Sequence, residues 1–77
     1  DMKVREKAAE DYKNETGITI NAQLISAVYK GDEIVAVGLS EKKDISSETQ
    51  KLFAKLNVDT IDGAVVKNFI WKKRKER

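Results

Sequence analysis

Apolar residues recur along this chain at two spacings, and the spacings divide it into candidate helices and strands. Over residues 3–16, Val4, Ala8 and Tyr12 stand four apart with Ala9 beside them, which predicts a helix with one apolar stripe. Lys7 with Asp11 and Glu10 with Lys13 make favourable surface pairs on it. Gly17 supplies a left-handed stop, and Ile18 is placed to fold back on the last turn. The stripe is narrow and partly Ala, so this helix needs a surface to lie on.

Residues 24–30 and 33–39 carry the clearest strand pattern. They flank Gly31-Asp32, and Gly in the first central position suits a type II′ turn. The hairpin this predicts pairs Lys30 with Glu33, Val28 with Val35, Ser26 with Val37 and Leu24 with Leu39 on one face. Tyr29 with Ile34, Ala27 with Ala36 and Ile25 with Gly38 form the other. The competing reading is a helix capped by Asn21 and running to Lys30, which with the first helix makes a helix-turn-helix arrangement. The hairpin is preferred because the second run is rich in Val and Ile and needs a partner strand.

Residues 42–45 read as a polar link. Ser46 or Ser47 then caps a second helix, with Ser47 and Gln50 at capping-box spacing. Thr49, Leu52, Phe53 and Leu56 form its buried stripe, and Asn57 ends it. Asp62-Gly63 predicts a type I′ turn between strands at 58–61 and 64–72. Val65, Val66, Phe69, Ile70 and Trp71 suit a strand there, because on a helix they spread around most of the cylinder. The expected order is α-β-β-α-β-β. This is a single small α+β domain over residues 1–71, two helices on one face of an antiparallel sheet, followed by a basic tail at 72–77. Leu52, Phe53 and Leu56 are expected to pack against Val28, Val35 and Val37.

Composition narrows the picture. The chain has 77 residues and contains no Cys, no His and no Pro. A domain of this size buries only about 60% of its unfolded surface. No disulfide and no Cys/His zinc site can reinforce it, so core packing or a partner must. No apolar run approaches the roughly 20 residues of a membrane span, and no signal-peptide pattern opens the sequence. A disulfide-free small domain is expected to be intracellular, in the cytoplasm. Asp1 precedes Met2, which leaves two readings open: Met2 as the natural start, or a segment of a longer protein. Lys far outnumbers Arg and Ile is frequent, as in the AT-rich genome of a bacterium or its phage.

The net charge of +2 is unevenly placed. Residues 67–77 hold six basic side chains against Glu76, a balance of 6 − 1 = +5, while residues 1–66 hold 9 basic and 12 acidic ones, a balance of −3. A block of positive charge points to an anionic partner or a solvated tail.

The chemistry-bearing residues argue against an enzyme. Ser26, Ser40, Ser46 and Ser47 have no His as base, and no thiolate exists. Asp59 with Asp62, and Asp32 beside Glu33, sit where turns place acids; a small metal-dependent enzyme built on Asp59 and Asp62 is the weakest reading. No phosphate-cradling Gly loop is present. Neither cofactor nor metal is expected.

One constellation rises above this background. On a strand over 64–73, Lys67, Phe69, Trp71 and Lys73 share one face. Basic and aromatic residues in alternation stack bases and hold phosphates on single-strand-binding sheets. With Lys72, Arg74, Lys75 and Arg77 they form the candidate nucleic-acid site. Against this stands the simpler reading, in which Phe69 and Trp71 are core and 72–77 is solvated. The expectation is therefore a non-enzymatic binding module that contacts nucleic acid through its basic C-terminal segment. The alternative is a protein–protein or assembly module that docks through its sheet or first helix. A basic and apolar end of this kind also suits an acidic membrane surface.

Overall fold

The computed structural model describes residues 6–75, and they fold into six strands with no helix. These are β1 (Lys7–Lys13), β2 (Ile20–Lys30), β3 (Glu33–Leu39), β4 (Lys43–Ile45), β5 (Thr49–Lys55) and β6 (Val65–Arg74). Both expected helices are strands, and the fold is all-β instead of α+β. No helix among the described residues is long and apolar enough to cross a membrane.

β2 organises the larger sheet. Ile20, Ala22, Leu24, Ser26 and Val28 alternate onto one face and are all buried. β6 pairs antiparallel with β2 from Ile20↔Arg74 to Tyr29↔Val65, which fills one edge almost completely. β3 pairs with residues 25–30 and β4 with residues 20–22, so these two must share the opposite edge. Between them the chain stays attached through Ser40. Its amide donates to the Leu24 carbonyl (2.9 Å), and its hydroxyl accepts from the Leu24 amide (2.8 Å).

β1 and β5 pair antiparallel, from Lys7↔Lys55 to Lys13↔Thr49, as a separate two-stranded sheet. Its inward residues Ala8, Leu52 and Ala54, with Leu56 just beyond, close over the β2 face. Together with Ile20, Ala22, Leu24, Val28 and Ile45 they make one core between two layers. Full burial of its Leu, Ile and Val side chains contributes roughly 1.5–3 kcal/mol each, against the ordering cost of the backbone.

Four polar or small residues fix how the layers meet. Gly38 lies against β5: a Cβ there would sit 2.3 Å from the Lys55 carbonyl oxygen, so no side chain fits. On the other side, the buried Ser26 hydroxyl donates to Asn68 Oδ1 (2.6 Å), while Asn68 Nδ2 reaches the Ala9 carbonyl (3.4 Å) and Glu10 Oε1 (3.2 Å). Asn14, 2% exposed, donates to the carbonyls of Ile18 and Ile45 and accepts from the Thr16 amide. No buried side-chain N or O among the described residues lacks a partner.

Other expectations are corrected by the same geometry. The turn at Gly31-Asp32 joins β2 and β3 with Gly31 at φ 62° and Asp32 outside the positive region, as a type II′ turn requires. Lys30↔Glu33 and Tyr29↔Ile34 pair as expected from the sequence. A bulge then shifts the register by one, giving Val28↔Ala36, Ala27↔Val37, Ser26↔Gly38 and Ile25↔Leu39. Val35 and Val37 are thereby exposed, as is Phe53, so the expected core loses these three and keeps Val28, Leu52 and Leu56. At Asp62-Gly63, Gly63 has φ 74° while Asp62 does not enter the positive region, which rules out type I′. Residues 58–61 form no strand. Residues 72–74 continue β6 and the Lys75 amide bonds the Thr19 carbonyl (3.1 Å), so pairing runs past the boundary expected at residue 71.

Candidate functional site

Residues opposite one another in an antiparallel ladder share a face. The ladders of β2 with β3 and β6 therefore define what lies on the side of the large sheet away from the core. One row is Leu39, Ile25 and Phe69; the next is Val37, Ala27 and Lys67; the third is Ile34, Tyr29 and Val65. Trp71 lies opposite Gln23, and Lys73 opposite Asn21, on the same face. Lys67, Phe69, Trp71 and Lys73 thus stand in line on β6.

The face is apolar and open. Phe69 is 50% exposed, Val37 54%, Leu39 57% and Val65 58%, while Ala27 at the centre is buried. Trp71 and Tyr29 are half-buried. A cation sits over each of these two rings, Lys42 Nζ at 4.7 Å from the Trp71 centroid and Lys67 Nζ at 4.9 Å from the Tyr29 centroid. Phe69 carries no such cation among the described residues.

Strand alternation divides the basic block. Lys67 and Lys73 stand on the outer face. Lys72 and Arg74 lie opposite Ala22 and Ile20, on the core side at its rim, and Lys72 Nζ is 5.7 Å from the Tyr12 ring. Lys75 is engaged by Asp44, whose carboxylate also accepts from Asn21 Nδ2 (2.9 Å). These hydrogen bonds, from Lys75 first and Asn21 second, hold the Asp44 carboxyl below its ordinary range. Arg77 lies outside the described residues.

The remaining candidates have structural surroundings. Ser26 and Ser40 are buried and hydrogen-bonded as described above, and the Ser46 hydroxyl lies 3.1 Å from that of Thr19. Asp59 and Asp62 stand in the connection before β6, where the Asp62 amide bonds the Thr60 hydroxyl (3.1 Å). No group of three or more acidic residues among the described ones gathers as a metal site would require.

Val37 and Leu39 are the members of this face that the sequence reading misplaced. A signal for them exists: β3 carries apolar residues at both parities, Ile34 beside Val35, Val37 and Leu39. An edge strand with one buried side cannot bury both sets, and the bulge brings Ile34, Val37 and Leu39 to the same outer face. No family model matches this chain, and no curated protein or solved structure matches it either.

Proposed function

We propose that this chain is a non-enzymatic docking module whose outer sheet face binds an apolar, acidic surface on another protein. The observation that carries this reading is the set of half-exposed Val37 and Leu39 on β3 and Val65 and Phe69 on β6, flanking β2 on one face. Contiguous apolar surface of this kind marks interaction sites more than chance exposure does. Lys67 within the face, with Lys42 and Lys73 at its end, selects negative charge in the partner. A two-fold axis passing near Lys67 would also bring it against its own copy, which disfavours that self-pairing.

The nucleic-acid reading keeps one favourable observation, the line of Lys67, Phe69, Trp71 and Lys73 on one face. Two features weigh against it. Aliphatic Ile34, Val37, Leu39 and Val65 offer bases nothing to stack on, and the Tyr29 and Trp71 rings are already occupied by lysines. The division of the basic block also leaves fewer cations facing any one backbone.

A displayed peptide library tests the docking reading. Intact protein is the target and a Val37→Ser/Phe69→Ser variant of unchanged circular dichroism is the counter-target. Enrichment of sequences mixing Asp or Glu with aliphatic residues, lost on the variant, is the expected result. Equal capture by both proteins overturns it. A labelled single-stranded oligonucleotide is titrated in parallel across salt. Binding whose log affinity falls by roughly 0.7 per phosphate contact for each unit of log salt, with no peptide enrichment, moves the assignment to nucleic acid.

A further inference from the structure

Among the described residues, β5 has a partner on one side only. It pairs with β1 and with no other strand among them. Its edge away from β1 is turned toward the β3–β4 corner: the Lys55 end abuts Gly38 of β3, and the stretch before it stays unpaired among the described residues. The two layers come close together at Gly38. The space between them is a groove of about 520 Å³ lined by Lys7, Leu39, Ser40, Glu41, Lys43, Leu52, Phe53 and Lys55. That volume lies within the roughly 300–1,000 Å³ typical of ligand sites.

The lining has a definite chemistry. Three lysines, Lys7, Lys43 and Lys55, face one carboxylate, Glu41. Leu39 and Phe53 are 57% and 55% exposed and supply apolar contact at the two walls. Phe53 and Lys55 stand two apart on one side of β5, and Lys7 lies opposite Lys55 in the ladder. A free strand edge, an apolar contact and a basic rim at strand spacing are the three things an added β-strand uses. Backbone groups supply affinity, and side chains two residues apart supply selection.

We propose that this groove receives an extended acidic peptide segment, which adds to the free edge of β5 as a third strand of the smaller sheet. Every second side chain of the added strand lies on the face that carries Phe53, Lys55 and Lys7, and acidic ones there meet the two lysines. The intervening apolar ones turn inward toward Leu52 and Leu39, with Lys43 beside them at the groove. The occupant closes the sandwich on the side that Asn68 and Ser26 do not hold. This site is separate from the outer sheet face and does not depend on what that face binds, although Leu39 borders both.

The test uses a fluorescein-labelled peptide the length of β5, seven residues, alternating Glu with Val. A scrambled peptide of the same composition and a Lys-for-Glu version serve as controls. Affinity is measured by anisotropy, and hydrogen exchange of the protein is followed by NMR. The alternating peptide should bind the intact chain, slow exchange at amides of β5, and lose about tenfold or more of its affinity in Lys43→Glu/Lys55→Glu. Val37→Ser/Phe69→Ser, altered on the outer face alone, should bind as the intact chain does. The proposal is overturned by no binding, by equal binding of the scrambled peptide, or by exchange protection that falls on β3 or β6. Retained affinity in the charge-reversed protein overturns it as well. Failure of the outer-face reading would leave these results unchanged, so the two are distinguishable.

Discussion

Position 38 has room for a hydrogen and nothing larger, because β5 passes with its Lys55 carbonyl where a side chain would begin. Gly38→Ala should therefore cost about 1–3 kcal/mol, the usual cost of overpacking, measured as a lowered urea midpoint. Asp44 offers a test by pH. Its carboxyl is depressed by the hydrogen bond from Lys75 and then by that from Asn21. A depressed folded value means the contribution is present above the unfolded pKa and is lost as pH falls through the folded one. Lys75→Ala should raise the Asp44 pKa toward its ordinary range in an NMR carboxyl titration and leave other carboxyls in place. At this scale the β6 line was legible, since alternation alone puts Lys67, Phe69, Trp71 and Lys73 together. Lys42 over Trp71 was not, because it joins residues far apart in sequence through a fold that had been misassigned.

For the elements, the misreading has one cause. Residues four apart lie on the same side of a helix and also on the same side of a strand. Ala8 and Tyr12, and likewise Leu52 and Leu56, therefore satisfied both patterns. The residues between them decided the matter: small Ala54 goes in and large Phe53 goes out, against the expectation that the bigger apolar side chain is core. Glu, Gln, Lys, Leu and Ala around it also favour helix locally, and pairing with β1 overrides that preference. The β2–β3 turn was legible because Gly31 needs φ beyond the reach of other residues, whereas nothing in the sequence announced the bulge after it. Two substitutions separate strand from helix at β5. Leu52→Ala should cost about 2–5 kcal/mol, while its neighbour Phe53→Ala should cost about 1 kcal/mol or less, both read from urea titrations. A helix would have buried both side chains on one stripe and made both changes expensive.

Taken whole, the molecule is a set of distant pairings: β1 waits for β5, and β2 for β6. Loop closure must precede most of the contacts that reward it. Refolding by stopped-flow fluorescence of Trp71 should accordingly relax in milliseconds to seconds, the range of all-β domains, and not in microseconds. β6 has a further consequence. It enters after a connection, residues 56–64, that contains no strand, and it pairs with β2 from Ile20 to Tyr29. It is thus an exchangeable part, and the protein is in effect built from two pieces that recognise each other. Chains cut within that connection should reassemble when the fragments are mixed, with the β6 fragment restoring native NMR shifts along β2. At high concentration, two intact molecules can trade their last strands.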